Sequence, residues 1–122
     1  MDENELDPLL DVTKIYRTIK GVPMIFTMRD PSQKEDLDYR RRTQKMIIKN
    51  GKVEQSDTAL EAHVWHFKQV CVKAERQNGG PDSFVEMSKE EVERKVPARA
   101  QATVAMLHIL ELEGVETEQI KN

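Results

Sequence analysis

Two runs of β-branched and apolar residues near the start of the chain predict a β-hairpin. The runs cover residues 12–19 and 22–29, and a Lys-Gly pair separates them. Strand-forming residues on both sides of a short glycine turn are typical of paired antiparallel strands. In the second run Met24, Phe26 and Met28 occupy alternate positions, so we expect these three side chains to face the core.

Helical periodicity dominates the rest of the chain. The predicted helices cover about residues 33–49, 57–77, 89–95 and 98–113. Ser32 can cap the first of them while Glu35 reaches back to its backbone, and Ser88 begins the third with the same spacing to an acid. Pro97 precedes the last helix, which is the most apolar and should be the most buried.

The helix predicted at 57–77 has an apolar stripe at helical spacing. Its members are Leu60, Val64, Phe67, Cys71 and Ala74. Trp65 and Val72 lie off that stripe, and they form either a wider core contact or an exposed binding spot.

These elements predict a mainly α fold of the α+β class, with a short N-terminal β-hairpin followed by a bundle of three to four helices. We expect one globular domain at residues 12–114, with the hairpin at 12–29. Residues 1–11 are predicted to be a flexible acidic lead-in, and residues 115–122 a C-terminal tail.

Composition limits what the chain can be. Of 122 residues 38% are hydrophobic and only 5% aromatic, so the core should be aliphatic and modest. A single cysteine excludes an intramolecular disulfide and suits a reducing compartment. No run approaches the roughly 20 apolar residues of a membrane span, and the acidic start is unlike a signal peptide. We therefore expect a cytoplasmic protein.

Charge is unevenly distributed, because residues 12–52 carry eleven Lys and Arg against four acids. Within them Arg41, Lys45 and Lys49 recur at intervals of four and predict a basic ridge on one helix face. Three interpretations of this ridge are open. It could be a solvated helix face paired with nearby acids, a contact for an acidic protein, or a contact for nucleic acid. The residues predicted to bind a partner are Arg41, Lys45, Lys49, Met46, Trp65 and Val72.

No residue pattern requires an active site. His63 and His66 share a predicted helix, but no further donor lies at a recognised metal-ligand spacing, and His108 could join them only through the fold. Cys71 falls on an apolar stripe, where a free cysteine acts as a small hydrophobe. The glycines form no phosphate-binding pattern. We therefore predict no enzyme activity, no metal and no cofactor.

The order of features resembles a known family. Phe26-Thr27-Met28-Arg29 ends the hairpin, a capped helix contains Tyr39-Arg40-Arg41-Arg42, and an apolar helix lies between Pro97 and Gly114. This layout is similar to that of the small tail assembly chaperones of long-tailed bacteriophages and prophages.

The resemblance implies a mainly helical, non-enzymatic protein of the bacterial host cell that keeps the tape measure protein soluble until tail tube subunits assemble around it. It also implies self-association, with the tape measure or tail tube protein as partner. The alternative function is a small nucleic-acid-associated regulator that uses the basic ridge. A salt-sensitive affinity for DNA would distinguish the two.

Overall fold

The fold is an antiparallel sheet with helices packed on one side. The computed structural model describes residues 11–43, 47–49, 52–54, 58–114 and 120–121. The strands are β1 (Val12–Ile19), β2 (Val22–Arg29), β3 (Ile47–Lys49), β4 (Lys52–Glu54), β5 (Cys71–Gln77), β6 (Phe84–Glu86) and β7 (Ile120–Lys121). The helices are α1 (Gln33–Thr43), α2 (Thr58–Val70), α3 (Lys89–Lys95) and α4 (Ala98–Leu112).

Five of the strands form one sheet in the order β6-β5-β2-β1-β7, and β3 and β4 form a separate pair. All pairings within these sheets are antiparallel. β1 and β2 pair along their whole length, from Val12 with Arg29 to Ile19 with Val22. Lys20 and Gly21 connect them with φ of 51° and 81°. Positive φ at both positions defines the turn that matches strand twist, and glycine adopts it without steric cost.

The core lies between the sheet and helices α2 and α4. The β2 side chains that we expected to face the core are buried, namely those of Met24, Phe26 and Met28. Ile15, which lies opposite Phe26 on β1, is also buried. The ring of Phe26 meets that of Phe67 from α2 edge-on, with centroids 5.6 Å apart. Edge-to-face packing adds about 0.5–1.5 kcal/mol to the burial of two such rings.

The predicted fold class, a hairpin followed by a bundle of three to four helices, is wrong. The helix expected at residues 57–77 ends at Val70, and Cys71–Gln77 is strand β5. β5 pairs with β2, where Ala74 lies opposite Phe26. An unpaired edge of β2 would leave backbone N–H and C=O groups without partners, and pairing with β5 satisfies them. Residues 71–77 are locally as compatible with helix as with strand, and the stability gained by pairing with β2 selects the strand.

The helix expected at residues 33–49 is also too long. α1 ends at Thr43, and Ile47–Lys49 pairs with Lys52–Glu54 as a short hairpin. Adjacent β-branched residues favour strand, and the Asn-Gly pair between the two strands is typical of two-residue hairpin loops.

The last two helices lie where they were predicted. α3 covers Lys89–Lys95, with the Ser88 hydroxyl accepting from the backbone N–H of Glu91, and α4 covers Ala98–Leu112. The Glu91 carboxylate accepts from the Arg76 guanidinium at 2.6 Å, which attaches α3 to β5. No helix in the described part of the chain is long and apolar enough to cross a membrane.

Some predictions concern residues outside the described ranges. The expected lead-in at 1–11 is described only at Asp11, and the expected tail at 115–122 only at Ile120–Lys121, which pairs with β1 as β7.

Arg29 joins three elements at one edge of the helical layer. Its guanidinium donates to both carboxylate oxygens of Glu35 at 2.7 Å and to the backbone carbonyls of Gln69 and Asp30. Glu35 also accepts from the Ser32 backbone N–H, and the Ser32 hydroxyl accepts from that of Glu35. The predicted capping box at Ser32 is therefore confirmed, and the Arg29 bond holds the pKa of Glu35 at about 2.

Arg29→Lys should lower the free energy of unfolding by about 2 kcal/mol, because an ammonium cannot reproduce two parallel bonds to one carboxylate. Urea denaturation followed by circular dichroism measures the change. The control is Arg40→Lys, whose exposed ion pair with Asp36 at 3.4 Å should contribute less than about 0.5 kcal/mol. Equal losses in the two variants would contradict the structural role of Arg29.

Candidate functional site: a groove between helices α1 and α4

A groove with a volume of about 600 Å³ opens between α1 and the C-terminal end of α4. Helix α2 packs against both of these helices, and its His66 lines the bottom of the groove. The lining residues are Asp30, Pro31, Ser32, Gln33, Asp36, Tyr39, Arg40, Thr43, His66, Ile109, Leu112 and Glu113. Its volume lies within the range of small-molecule and side-chain binding sites.

Tyr39 forms the aromatic wall of the groove. It is half-buried, and its ring stands edge-on to that of His66 with centroids 5.3 Å apart. The ring of His63 lies 5.7 Å from it. Burial raises the pKa of Tyr39, and the negative charges of Glu113 and Asp36 raise it further. Both carboxylates therefore act on the Tyr39 hydroxyl, although Asp36 lies in α1 and Glu113 follows α4.

Below the groove, His66 forms a buried pair with His108. Its Nε2 lies 3.0 Å from Nδ1 of His108 on α4, and both rings are buried. In such a bond one neutral ring donates and the other accepts. Within the described residues, Nε2 of His108 has no hydrogen-bond partner. The pair connects α2 to α4 across the core.

Both histidines of the pair are neutral at pH 7. Burial lowers the pKa of His66 to about 4 and that of His108 to about 3, and the Arg29 guanidinium adds a smaller lowering to both. The carboxylates of Glu35 and Asp36 oppose this effect at His66. A proton on either ring would place a cation at a buried position with little solvation, and this cost is the main reason for the low pKa values. Neither ring is therefore a proton acceptor near neutral pH.

The structure does not form the predicted basic ridge. Arg41 is exposed on α1 and lies 3.8 Å from Asp38, whereas Ile47–Lys49, which contains Lys49, is strand. Lys45 and Met46 lie outside the described residues. A helix that ends at Thr43 cannot carry a ridge through residue 49, so the geometric basis of that prediction is wrong. The partner-binding role of these side chains stays a prediction.

Trp65 and Val72 do not share a helix face, because Trp65 lies on α2 and Val72 on β5. The Arg42 guanidinium from α1 lies 4.4 Å from the centre of the Trp65 ring. This cation–π contact is worth about 0.5–1 kcal/mol near the surface. Val72 is 38% exposed. Binding of a partner by either residue remains a prediction.

Cys71 begins β5 and packs against the core. Burial raises the pKa of its thiol to about 12, so the nucleophilic thiolate is scarce at neutral pH. The described residues include no group of three or more His, Cys, Asp or Glu side chains that could hold a metal ion.

The groove residues were largely missed from the sequence. In the sequence Tyr39 precedes a run of three arginines, and Ile109 and Leu112 are ordinary apolar positions of the last helix, so no local pattern marks them as neighbours. A polar residue within the most apolar helix, His108, was the available signal for a buried pair, because a buried imidazole requires a hydrogen-bond partner. His66 and His108 are 42 residues apart, so no local sequence pattern predicts that they pair with each other.

Comparisons with protein-family models, with curated proteins and with solved structures found no match to this chain.

The histidine pair should make stability depend on pH. The folded pKa values of His66 and His108 lie below the ordinary 6.5, so the unfolded chain binds more protons as pH falls from about 6.5 towards 4. The free energy of unfolding should be constant above this window and fall within it. Urea denaturation between pH 7.5 and 4.5, where most carboxylates are still ionised, measures the slope.

Nuclear magnetic resonance of the folded protein provides the direct check. The imidazole Cε1–H signals of His66 and His108 should keep their neutral chemical shifts down to about pH 5. The double variant His66→Gln/His108→Gln should lose most of the stability slope. His63→Gln should keep the larger part of it, because burial lowers the pKa of His63 as well but this half-buried ring lies outside the pair. Ordinary titration of either paired ring near pH 6.5 would contradict the assignment.

Proposed function

We propose that this chain is a non-catalytic protein-binding module that holds an apolar helix of its partner in the groove between α1 and α4. The observation that carries the proposal is the groove itself, in which Tyr39, Ile109 and Leu112 present aromatic and aliphatic surface. Helix-in-groove recognition uses such walls to bury the apolar stripe of an amphipathic helix.

The particular role we propose is that of a phage or prophage tail assembly chaperone. Its partner would be the tape measure protein, whose long apolar helices need cover in the bacterial cytoplasm until the tube forms. Two of the three stretches that carry the family resemblance support this proposal, because Arg29 ends one and attaches α1, while Tyr39 begins another and lines the groove. Self-association of the free chaperone belongs to the same proposal.

The protonation of the Cys71 thiol and the hydrogen bonding of the two buried histidines support the absence of catalysis in this proposal. The Cys71 thiol is protonated at neutral pH because burial raises its pKa. The facing nitrogens of His66 and His108 are occupied by each other. The alternative, a nucleic-acid regulator, depends on a helical ridge that α1 is too short to provide.

Leu112→Ser should weaken binding of the tape measure helices by about fivefold or more, because truncating a central apolar contact costs about 1 kcal/mol or more. Fluorescence anisotropy can measure this with labelled peptides that tile the apolar helices of a phage tape measure protein. Met106→Ser is the matched control, since Met106 is 48% exposed on the same helix but does not line the groove.

Co-expression tests the chaperone role itself. The tape measure protein should remain in the soluble fraction with the natural chain or with Met106→Ser, and should precipitate with Leu112→Ser. Equal behaviour of the two variants would rule out the groove as the binding site. Precipitation of the tape measure protein even with the natural chain would contradict the chaperone role.

A further inference from the structure

Three carboxylates surround the mouth of the groove, and each comes from a different segment. Asp30 follows β2, Asp36 lies in the first turns of α1, and Glu113 follows α4. The pKa of Tyr39 responds to both Asp36 and Glu113, which shows that their fields meet at the aromatic wall. Asp30 is partly buried and has Asp11 as a like-charged neighbour, and both effects raise its pKa.

The cations near these carboxylates do not neutralise them. Among the residues that line the groove, Arg40 is the one Lys or Arg. It forms an exposed ion pair with Asp36 at 3.4 Å. The Arg29 guanidinium is engaged by Glu35 and by two backbone carbonyls. His66 is neutral at pH 7 because its pKa is about 4. The groove therefore carries a net negative charge.

The walls beneath the carboxylates suit a particular kind of side chain. Ile109 and Leu112 offer aliphatic surface, and the face of an aromatic ring such as Tyr39 attracts cations. Lys and Arg have long methylene stems that pack on apolar surface and end in a charge. A purely apolar side chain would bury the walls but leave Asp30 and Glu113 without an opposite charge.

We infer that the groove selects its partner helix by a Lys or Arg that flanks the apolar stripe, with the stem against Ile109 and Leu112 and the charged head among Asp30, Asp36 and Glu113. This inference rests on the proposed function, because it names the chemistry of the helix bound in that groove. The charged contact would confer specificity and orientation, while apolar burial supplies most of the affinity.

Three synthetic amphipathic helical peptides of one length and one apolar face test the inference. They differ at a single flanking position, which is Lys, norleucine or Glu. With the natural chain at low salt, the Lys peptide should bind at least tenfold more tightly than the norleucine peptide, and the Glu peptide most weakly. The Lys preference should shrink in 0.5 M NaCl, because salt screens exposed charges.

The double variant Asp30→Asn/Glu113→Gln should reduce the Lys preference to within about twofold and leave the norleucine peptide unaffected. Its matched control is Asp82→Asn/Glu90→Gln, which removes two exposed carboxylates that do not line the groove and should keep the full preference. Equal affinities of the natural chain for the Lys and norleucine peptides would overturn the inference while leaving helix binding intact. Failure of all three peptides to bind would overturn the proposed function, and the inference with it.

Discussion

The bidentate pair between Arg29 and Glu35 organises the part of the molecule that forms the groove. One guanidinium at the end of β2 bonds the carboxylate in the first turn of α1 and the carbonyl of Gln69 near the end of α2. The same carboxylate caps α1 through Ser32. Since the pKa of Glu35 is about 2, its carboxylate stays ionised at neutral and mildly acidic pH, and its charge-assisted bonds to Arg29 persist there.

Beneath that junction the helical layer is held by two different kinds of contact. Phe26 and Phe67 bring the sheet and α2 together by apolar burial, which is strong but not directional. His66 and His108 bring α2 and α4 together through one directional bond in a dry environment. A buried polar pair costs stability when it is broken, so it penalises any sliding of α2 along α4 that an apolar interface would tolerate. The bottom of the groove is therefore preorganised.

A preorganised groove suits a module that binds helices, because its residues lose little conformational entropy when the partner binds. Its apolar walls end at Leu112, its acidic rim is set by Asp30 and Glu113, and Tyr39 lies between the two. In the function that we propose, this arrangement would combine burial, which can tolerate many apolar sequences, with a preference for a basic residue beside them.

The sequence by itself determined the features that depend on neighbours a few residues apart. The capping box at Ser32, the pairing of the first two strands and the bounds of α3 and α4 follow from turn, cap and periodicity signals. The tertiary structure decided the rest. Cys71–Gln77 is a strand because the edge of β2 needed a partner, and His66 meets His108 because sheet and helices share one core. Contacts between residues far apart in sequence depend on the packed whole, and local propensity carries no information about them.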